Sequence, residues 1–555
     1  MCDRRFQFWS SVPRNITIPD TSLWFNVVVS ATRFPNKPCL RFYDSTVSFH
    51  QLQREAEKLA GYLQAVCGVK RGDRVALYLQ NSPQFVIGYY AILRADAMVV
   101  PINPMNLTKE IGHIVTDSGA TTLIGAQDQL ARVEPLLGHG LSHVIVACYS
   151  DYLSAATDLE VPGWISAPRQ ALPAAAGVVA WADAMASGAP LGPHLATADD
   201  LCVMPYTSGT TGNPKGCIHR HRSVMFTAMA VPQWHRSNPD DVTLAVLPYF
   251  HVTGMQNSMN TPIFTGSTTV ILPRWDRKLA AELIRRHRVT NVSMVPTMVV
   301  DLLSSPDLPS FDLSSLRSLG GGGAAMPEAI ARKLQDLCGI EFVEGYGLSE
   351  TIAPTHINPP ERPKKQCLGI PVFNTEARVV HPDTMAELPV GQVGEIVSRG
   401  PQVFDGYWNN PAATAGCFVE LDGQRFFRTG DLGRVDEDGY FFLVDRLKRM
   451  INVAGFKVWP AEVEAMLYGH PAIHEAVIIS RRDPRRGETV KAVVVLKPAA
   501  RGTVHEDDLV QWAKDNMAAY KVPATFEIAE ALPKSATGKI LWRVLQETET
   551  AATSG

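Results

Sequence analysis

Tyr206-Thr-Ser-Gly-Thr-Thr-Gly-Asn-Pro-Lys-Gly216 is the stretch whose reading decides the rest of the chain. Hydroxyl side chains at Thr207, Ser208, Thr210 and Thr211 are interleaved with Gly209, Gly212 and Gly216, and a single lysine, Lys215, follows. Glycines let the backbone bend tightly and turn several N–H groups toward one point. Hydroxyls add donors, and the lysine adds a mobile point charge. The expected guest is a polyphosphate. Residues 201–206 read as a short buried strand and residues 222–230 as a helix, the strand–loop–helix setting in which anion-binding loops occur. The common nucleotide loop needs glycine directly before its lysine and Ser or Thr directly after it. Here those places hold Pro214 and Gly216, so a Walker-type NTPase fits poorly. The plain alternative, a polar surface loop, does not account for hydroxyls, glycines and lysine arriving together.

The surrounding composition is that of a globular enzyme. A chain of 555 residues is too long for one core, and 46% hydrophobic with 19% charged residues is ordinary for such a protein. A net charge of −3 gives no global attraction to nucleic acid or to an anionic membrane, so neither is expected as a partner. The basic run Arg481-Arg482-Asp483-Pro484-Arg485-Arg486 is local, either a solvated loop or a place for a nucleotide phosphate. The nine cysteines are scattered without a CxxC pair, which argues for reduced thiols and against a disulfide framework or zinc site. Met1-Cys-Asp-Arg-Arg-Phe6 lacks the apolar core of a signal peptide. No stretch approaches the ~18 uncharged apolar residues of a spanning helix. A cytoplasmic protein with no integral membrane segment is expected, and a homodimer is left open.

After an irregular lead-in over 1–35, helix and strand alternate. Residues 48–63 carry apolar positions at helical spacing with Ser48 as the cap. Strands are expected at 74–79, 97–101 and 121–125, with a helix over 85–93, and 150–198 reads as a loose surface excursion rich in Ala, Pro and Gly. Beyond the loop, strands over 242–248, 289–295, 315–319 and 340–343 run into Tyr249-Phe250-His251, Pro296, Gly320-Gly-Gly-Gly323 and Glu344-Gly-Tyr-Gly-Leu-Ser-Glu350. Alternating strands and helices imply an α/β fold with a parallel sheet covered on both faces, whose ligands bind outside the C-terminal strand ends. Several strands ending in small or polar residues therefore point to one large site. Past about residue 385 the texture turns β-rich, with strands at 395–398 and 439–444. Residues 446–555 read as a small α+β domain: strands at 476–480 and 491–496, a helix over 506–517, the loop Pro533-Lys-Ser-Ala-Thr-Gly-Lys539 and a frayed tail after Glu547.

The phosphate loop, Gly345-Tyr-Gly-Leu-Ser-Glu350, Thr429-Gly430-Asp431, Arg446, Asn452-Val-Ala-Gly-Phe-Lys-Val458 and Ser535-Ala-Thr-Gly-Lys539 appear in order along nearly the whole chain. Together they resemble the adenylate-forming superfamily, the AMP-dependent acid–CoA ligases, most like those for medium- or long-chain fatty acids. The resemblance implies an N-terminal adenylating domain, 1–445, that binds ATP and acid. It also implies a mobile C-terminal domain, 446–555, turning about a hinge at Lys448.

Residue by residue, the resemblance implies that Thr207, Ser208, Gly209, Thr210, Thr211, Gly212 and Lys215 hold the phosphates. Gly322, Glu344, Gly345, Tyr346, Gly347 and Ser349 would surround the nucleotide, Tyr346 offering a flat face to adenine. Glu350, with Thr210, would hold Mg²⁺, for which a carboxylate is a suitably hard ligand. Asp431 would accept from the ribose hydroxyls, with Arg446 beside ribose or phosphate oxygens. His251 would stand beside the substrate carboxylate, and Lys539 would stabilise the negative charge gathered as that carboxylate attacks the α-phosphorus. Gly455 would line the passage for the thiol of coenzyme A, the co-substrate. Where many relatives carry lysine this chain has Asn452, which weakens a light-emitting reading without touching thioester formation.

The segments expected to line the acid pocket, 229–234, 255–259, 320–325 and 346–352, contain no lysine or arginine. A second carboxylate would find no partner there, so dicarboxylic and amino acids are disfavoured. A fatty acid is the first expectation and an aryl or arylalkenoic acid the second. Loading of a separate carrier protein is the alternative to CoA, and a non-catalytic nucleotide-binding protein is the rival outside enzymology.

Overall fold

A computed structural model describes residues 13–207, 214–323, 326–446, 449–453, 456–483, 487–534 and 540–553. The chain divides into two compact units. One holds the chain up to Glu376 together with Ser398–Phe427, and the other holds Ala377–Val397 with the chain from Arg428 onward.

The first unit contains two sheets. In the seven-stranded sheet the order is His219–Arg220, Leu201–Val203, Met98–Pro101, Arg74–Tyr78, Thr122–Ala126, His143–Ala147 and Val178–Ala180, and the His219–Arg220 edge alone is antiparallel. The nine-stranded sheet has a parallel middle: Phe342–Tyr346, Ser318–Gly321, Asn291–Ser293, Val242–Ala245, Thr268–Ile271 and Pro38–Phe42. Parallel neighbours need crossover connections, and the helices Pro83–Arg94, Arg277–His287, Pro296–Leu303 and Glu328–Cys338 supply them.

Pro83–Arg94 is buried along its whole length. It lies in a core cluster that draws on both sheets, with Leu77 and Ile124 from one and Leu40, Ala245 and Ile271 from the other. Gly88 marks the closest approach, since a Cβ there would come within 3.1 Å of Leu77 Cδ1. In the neighbouring helix Phe49–Ala65, the Ser48 hydroxyl accepts from the Gln51 amide at 3.1 Å, a cap worth about 1 kcal/mol. The segment read as a loose excursion contributes the edge strand Val178–Ala180 and the helix Trp181–Ala186, whose Trp181 is buried.

In the second unit, Ile473–Asp483 and Gly487–Leu496 form a long antiparallel hairpin flanked by Ile451–Val453 and, in parallel, Thr525–Ile528. The tail expected to fray after Glu547 is the helix Trp542–Thr553. Trp542 and Leu545 pack on the hairpin face formed by Val477, Ile479 and Val493, and Lys491 Nζ pairs with Glu549 at 2.6 Å. The apolar face and this ion pair order a segment whose composition alone looks polar.

Two histidines tie the N-terminal lead-in to the helix His221–His235 and to Asp96. The Leu23 amide donates to His221 Nδ1 at 3.0 Å. Ser22 Oγ lies 2.6 Å from His194 Nε2, and His194 Nδ1 lies 2.6 Å from Asp96 Oδ1. That order imitates a hydrolytic triad, but Ser22 has no exposed surface, so the chain of bonds is structural.

Burial holds His221 down at about 3 and His219 down at about 4, against an ordinary value of 6.5. Protonating His221 would also turn the acceptor of the Leu23 amide into a donor. Because both values are depressed, the unfolded chain takes up protons first as pH falls. Stability is therefore full above pH ~6.5 and declines below it by about 1.4 kcal/mol per pH unit for each group. Denaturant unfolding of the first unit should accordingly weaken between pH 6.5 and 5. Burial holds His235 of the same unit down at about 4 as well, so His221→Asn, which keeps an acceptor for the Leu23 amide, should remove about a third of that slope; an unaltered slope would contradict the assignment.

Candidate active site

The stretch expected to hold phosphate is closed by a tight two-stranded base. Tyr206–Thr207 pairs antiparallel with Lys215–Gly216, so that Thr207 stands opposite Lys215 and Tyr206 opposite Gly216. Gly216 is required by contact: a Cβ would lie 2.8 Å from Met204 Sδ and 3.1 Å from Tyr206 Cζ. The base is anchored from outside. Tyr206 donates its hydroxyl to Asp117 Oδ2 at 2.6 Å, and burial, reinforced by Asp117, keeps the phenol protonated. Trp408 Nε1 donates to the Asp117 carbonyl at 3.0 Å, while the Trp408 amide donates to the Gly216 carbonyl at 2.8 Å. Ser208, Gly209, Thr210, Thr211 and Gly212 themselves lie outside the described residues.

Residues 404–408 run beside the strand that leaves the loop, through Ile218 N to Gly406 O and a bridge between Cys217 and Tyr407. This brings Tyr407 against two of the sequence-expected residues. Lys215 Nζ lies 4.3 Å above the Tyr407 ring centroid, and the Tyr407 hydroxyl donates to Glu350 Oε1 at 2.8 Å. Burial, and then the neighbouring Glu350 charge, push the Tyr407 phenol well above its ordinary range, which leaves it a donor. Glu350 sits on the single turn Ser349–Thr351. The Glu350 carbonyl accepts from the Phe404 amide at 2.8 Å, and His219 Nε2 lies 2.7 Å from the Ser349 carbonyl. With its pKa held down at about 4 by burial, His219 is neutral and donates there through Nε2. Ile352 and Ala353 follow at φ 42° and 35°, left-handed conformations that a β-branched residue adopts only under constraint.

Glu344, Gly345 and Tyr346 end a strand that pairs in parallel with Ser318–Gly321. The Glu344 carboxylate takes the Met326 amide and the Cys367 amide, each at 2.7 Å, and burial is the largest influence on it, raising its pKa. It brackets two loops against the strand end. Tyr346 is buried with its ring 5.6 Å from that of His356, edge on. The glycine run also has a packing cause. Added Cβ atoms would stand 2.7 Å from Val343 O at Gly320, 1.8 Å from Met294 O at Gly321 and 2.3 Å from Gly345 O at Gly322. Neighbouring backbone fills the space beside Gly320, Gly321 and Gly322. Gly347 is crowded likewise, 2.9 Å from the Ala353 and Pro354 Cα atoms.

His251 caps the short helix Val252–Met255, its Nδ1 accepting from the Thr253 amide at 3.3 Å. In the second unit, Asp431 and Arg446 stand opposite one another in an antiparallel pair, with Arg446 Nε 2.8 Å from Asp431 Oδ1. Gly430, within the strand Gln424–Val435, has φ 69°, and its amide donates to Glu395. Lys448, Gly455 and Lys539 lie outside the described residues.

Tyr407, His219, Asp117 and Trp408 were missed by the sequence reading. The available signal was Gly406-Tyr-Trp-Asn-Asn410, aromatic residues set between turn-formers, but nothing in its spacing ties it to a loop so far upstream.

A divalent cation can be tested against this donor set. Among the described residues no cluster of three or more His, Cys, Asp or Glu forms a metal cage. Glu350 is half-buried and holds one hydrogen bond on Oε1. A lone carboxylate beside a phosphate loop fits Mg²⁺, which keeps several waters and takes most of its other ligands from phosphate. No helix among the described residues is long and apolar enough to cross a membrane.

Residues 27–408 match the family model for AMP-binding enzyme, and residues 462–539 match the AMP-binding enzyme C-terminal domain. A long-chain-fatty-acid–CoA ligase of Bacillus subtilis is 34% identical over 554 residues, 98% of this chain and 97% of its own length. A feruloyl-CoA synthase of an Amycolatopsis species is 35% identical over 514 residues, 91% of this chain and 95% of its own. The crystal structure of ATP-bound MatB from Rhodopseudomonas palustris superposes with a TM-score of 0.83 at 27% identity, covering 96% of this chain and 99% of that one. The ordered motifs, the α/β fold and these matches agree, and the chain belongs to the AMP-binding enzyme family as an AMP-forming acid–CoA ligase that uses ATP and coenzyme A.

Proposed function

We propose that the acid is an apolar monocarboxylic acid, a medium- or long-chain fatty acid first. The observation that carries the reading is the absence of lysine and arginine from 229–234, 255–259, 320–325 and 346–352. A buried second carboxylate without a cationic partner would cost several kcal/mol. The 34% identity to a long-chain-fatty-acid–CoA ligase supports the same choice. An aryl or arylalkenoic acid is the second reading, favoured by the 35% identity to a feruloyl-CoA synthase.

In the proposed mechanism, Lys215 and the loop from Thr207 grip the terminal phosphates of ATP and orient pyrophosphate as the leaving group. Glu350, with Thr210, would hold Mg²⁺, which supplies charge neutralisation on the phosphate oxygens. Asp431 accepts from the ribose hydroxyls, and Tyr346 offers its ring to adenine. His251 positions the acid. A carboxylate oxygen attacks the α-phosphorus, the bond to the bridging oxygen breaks, and acyl-AMP and pyrophosphate form. Lys539 stabilises the charge that gathers in that step. The CoA thiolate then attacks the acyl carbon along the passage lined by Gly455, and AMP leaves. Lys448 is the proposed hinge between these two uses of the C-terminal segment.

Isotope exchange between pyrophosphate and ATP tests the first step. Exchange should depend on a straight-chain acid and be far weaker with a dicarboxylic acid of equal length; equal exchange with both would sink the pocket argument. The half-reactions should also separate by mutation. Lys539→Ala should lower acid-dependent exchange by roughly 10²- to 10³-fold and leave CoA capture of a supplied acyl-adenylate nearly intact. Gly455→Leu should do the reverse. Loss of the same half-reaction in both variants would overturn the division of roles.

A further inference from the structure

We infer that Tyr407 is a positioning residue of the adenylation step, orienting the Glu350 carboxylate through its hydroxyl and seating the Lys215 ammonium on its ring. The inference rests on the proposed phosphate and metal roles of Lys215 and Glu350. The backbone of the Glu350 turn is fixed from two sides, by His219 on the Ser349 carbonyl and by the Phe404 amide on the Glu350 carbonyl. Neither contact sets the side chain. A glutamate has three rotatable bonds, and among the described residues the Tyr407 hydroxyl, at 2.8 Å from Oε1, is the group that holds the carboxylate in one orientation. Among the described residues no hydrogen bond is made to Oε2.

The same ring lies 4.3 Å below Lys215 Nζ. An aromatic face attracts an ammonium without neutralising it. Lysine and glutamate therefore each contact Tyr407 but form no ion pair with one another among the described residues. Tyr407 keeps its place because its ring meets that of Phe404 edge on at 4.9 Å, in the cluster with Cys217 and Phe427, and its amide donates to Thr414 Oγ1 at 2.9 Å. Its two contacts are chemically separable. Phenylalanine at this position keeps the ring and loses the hydroxyl; leucine loses both.

The test uses the full-length enzyme and two readouts. Binding of Mn²⁺ in the presence of α,β-methylene-ATP, followed by electron paramagnetic resonance, should weaken roughly tenfold in Tyr407→Phe, the loss of one hydrogen bond to a charged group. The Mg²⁺ concentration giving half-maximal ATP–pyrophosphate exchange should rise by a similar factor, with the KM for the acid unmoved. Tyr407→Leu should add a rise in the KM for ATP. CoA capture of a supplied acyl-adenylate, which uses neither ATP nor metal, should run at the parental rate in Tyr407→Phe. Parental Mn²⁺ affinity in Tyr407→Phe would overturn the inference, as would an equal loss in both half-reactions, which would mark Tyr407 as structural only. A parent enzyme without acid-dependent exchange would overturn the proposed function itself, a result distinct from an active parent whose Tyr407→Phe variant is unchanged.

Discussion

A site that handles a polyphosphate must hold a cation and a carboxylate close together without letting them cancel. If Lys215 and Glu350 paired directly, neither would be free for phosphate or metal. Tyr407 meets the lysine with its face and the glutamate with its hydroxyl, two surfaces of one rigid side chain that carry opposite electrostatic character. Around that residue the loop base, the Glu350 turn and residues 404–408 are tied by backbone hydrogen bonds. The strained conformations at Ile352 and Ala353 persist because the same framework over-determines them.

The sheets serve this arrangement through close backbone packing. Glycines at 320–322 let three parallel strands and their loops approach to distances that a single methyl group would forbid. Glu344 then gathers the amides of Met326 and Cys367, so the strand end that carries Gly345 and Tyr346 is braced by a buried carboxylate. Positions that look chemical in a motif thus divide between residues that can face a ligand and residues that shape the backbone behind them.

Much of this was legible beforehand where periodicity and capping are local. The Phe49–Ala65 helix with its Ser48 cap and the parallel pairing of the central strands follow from spacing and punctuation. The Tyr206–Gly216 stretch and Glu350 stood out because a polyphosphate would demand a narrow set of residue types, and the fold brings Lys215 and Glu350 to one side chain, Tyr407. Tyr407 and His219 did not stand out, since an aromatic beside a glycine and a lone histidine gain meaning only when the fold places them against distant partners. The tail misled for the opposite reason. Its helix is held by Val477, Ile479, Val493 and Lys491, none of which is near it in sequence.

The central claim is that the carboxylate itself attacks the α-phosphorus of ATP. Incubating the enzyme with CoA, ATP and a straight-chain fatty acid labelled with ¹⁸O in both carboxylate positions tests it most directly. The account predicts AMP carrying one ¹⁸O in its phosphate, with unlabelled pyrophosphate, as the acyl–oxygen bond to AMP is broken by the thiol. Unlabelled AMP, or label appearing in inorganic phosphate alongside ADP, would contradict it.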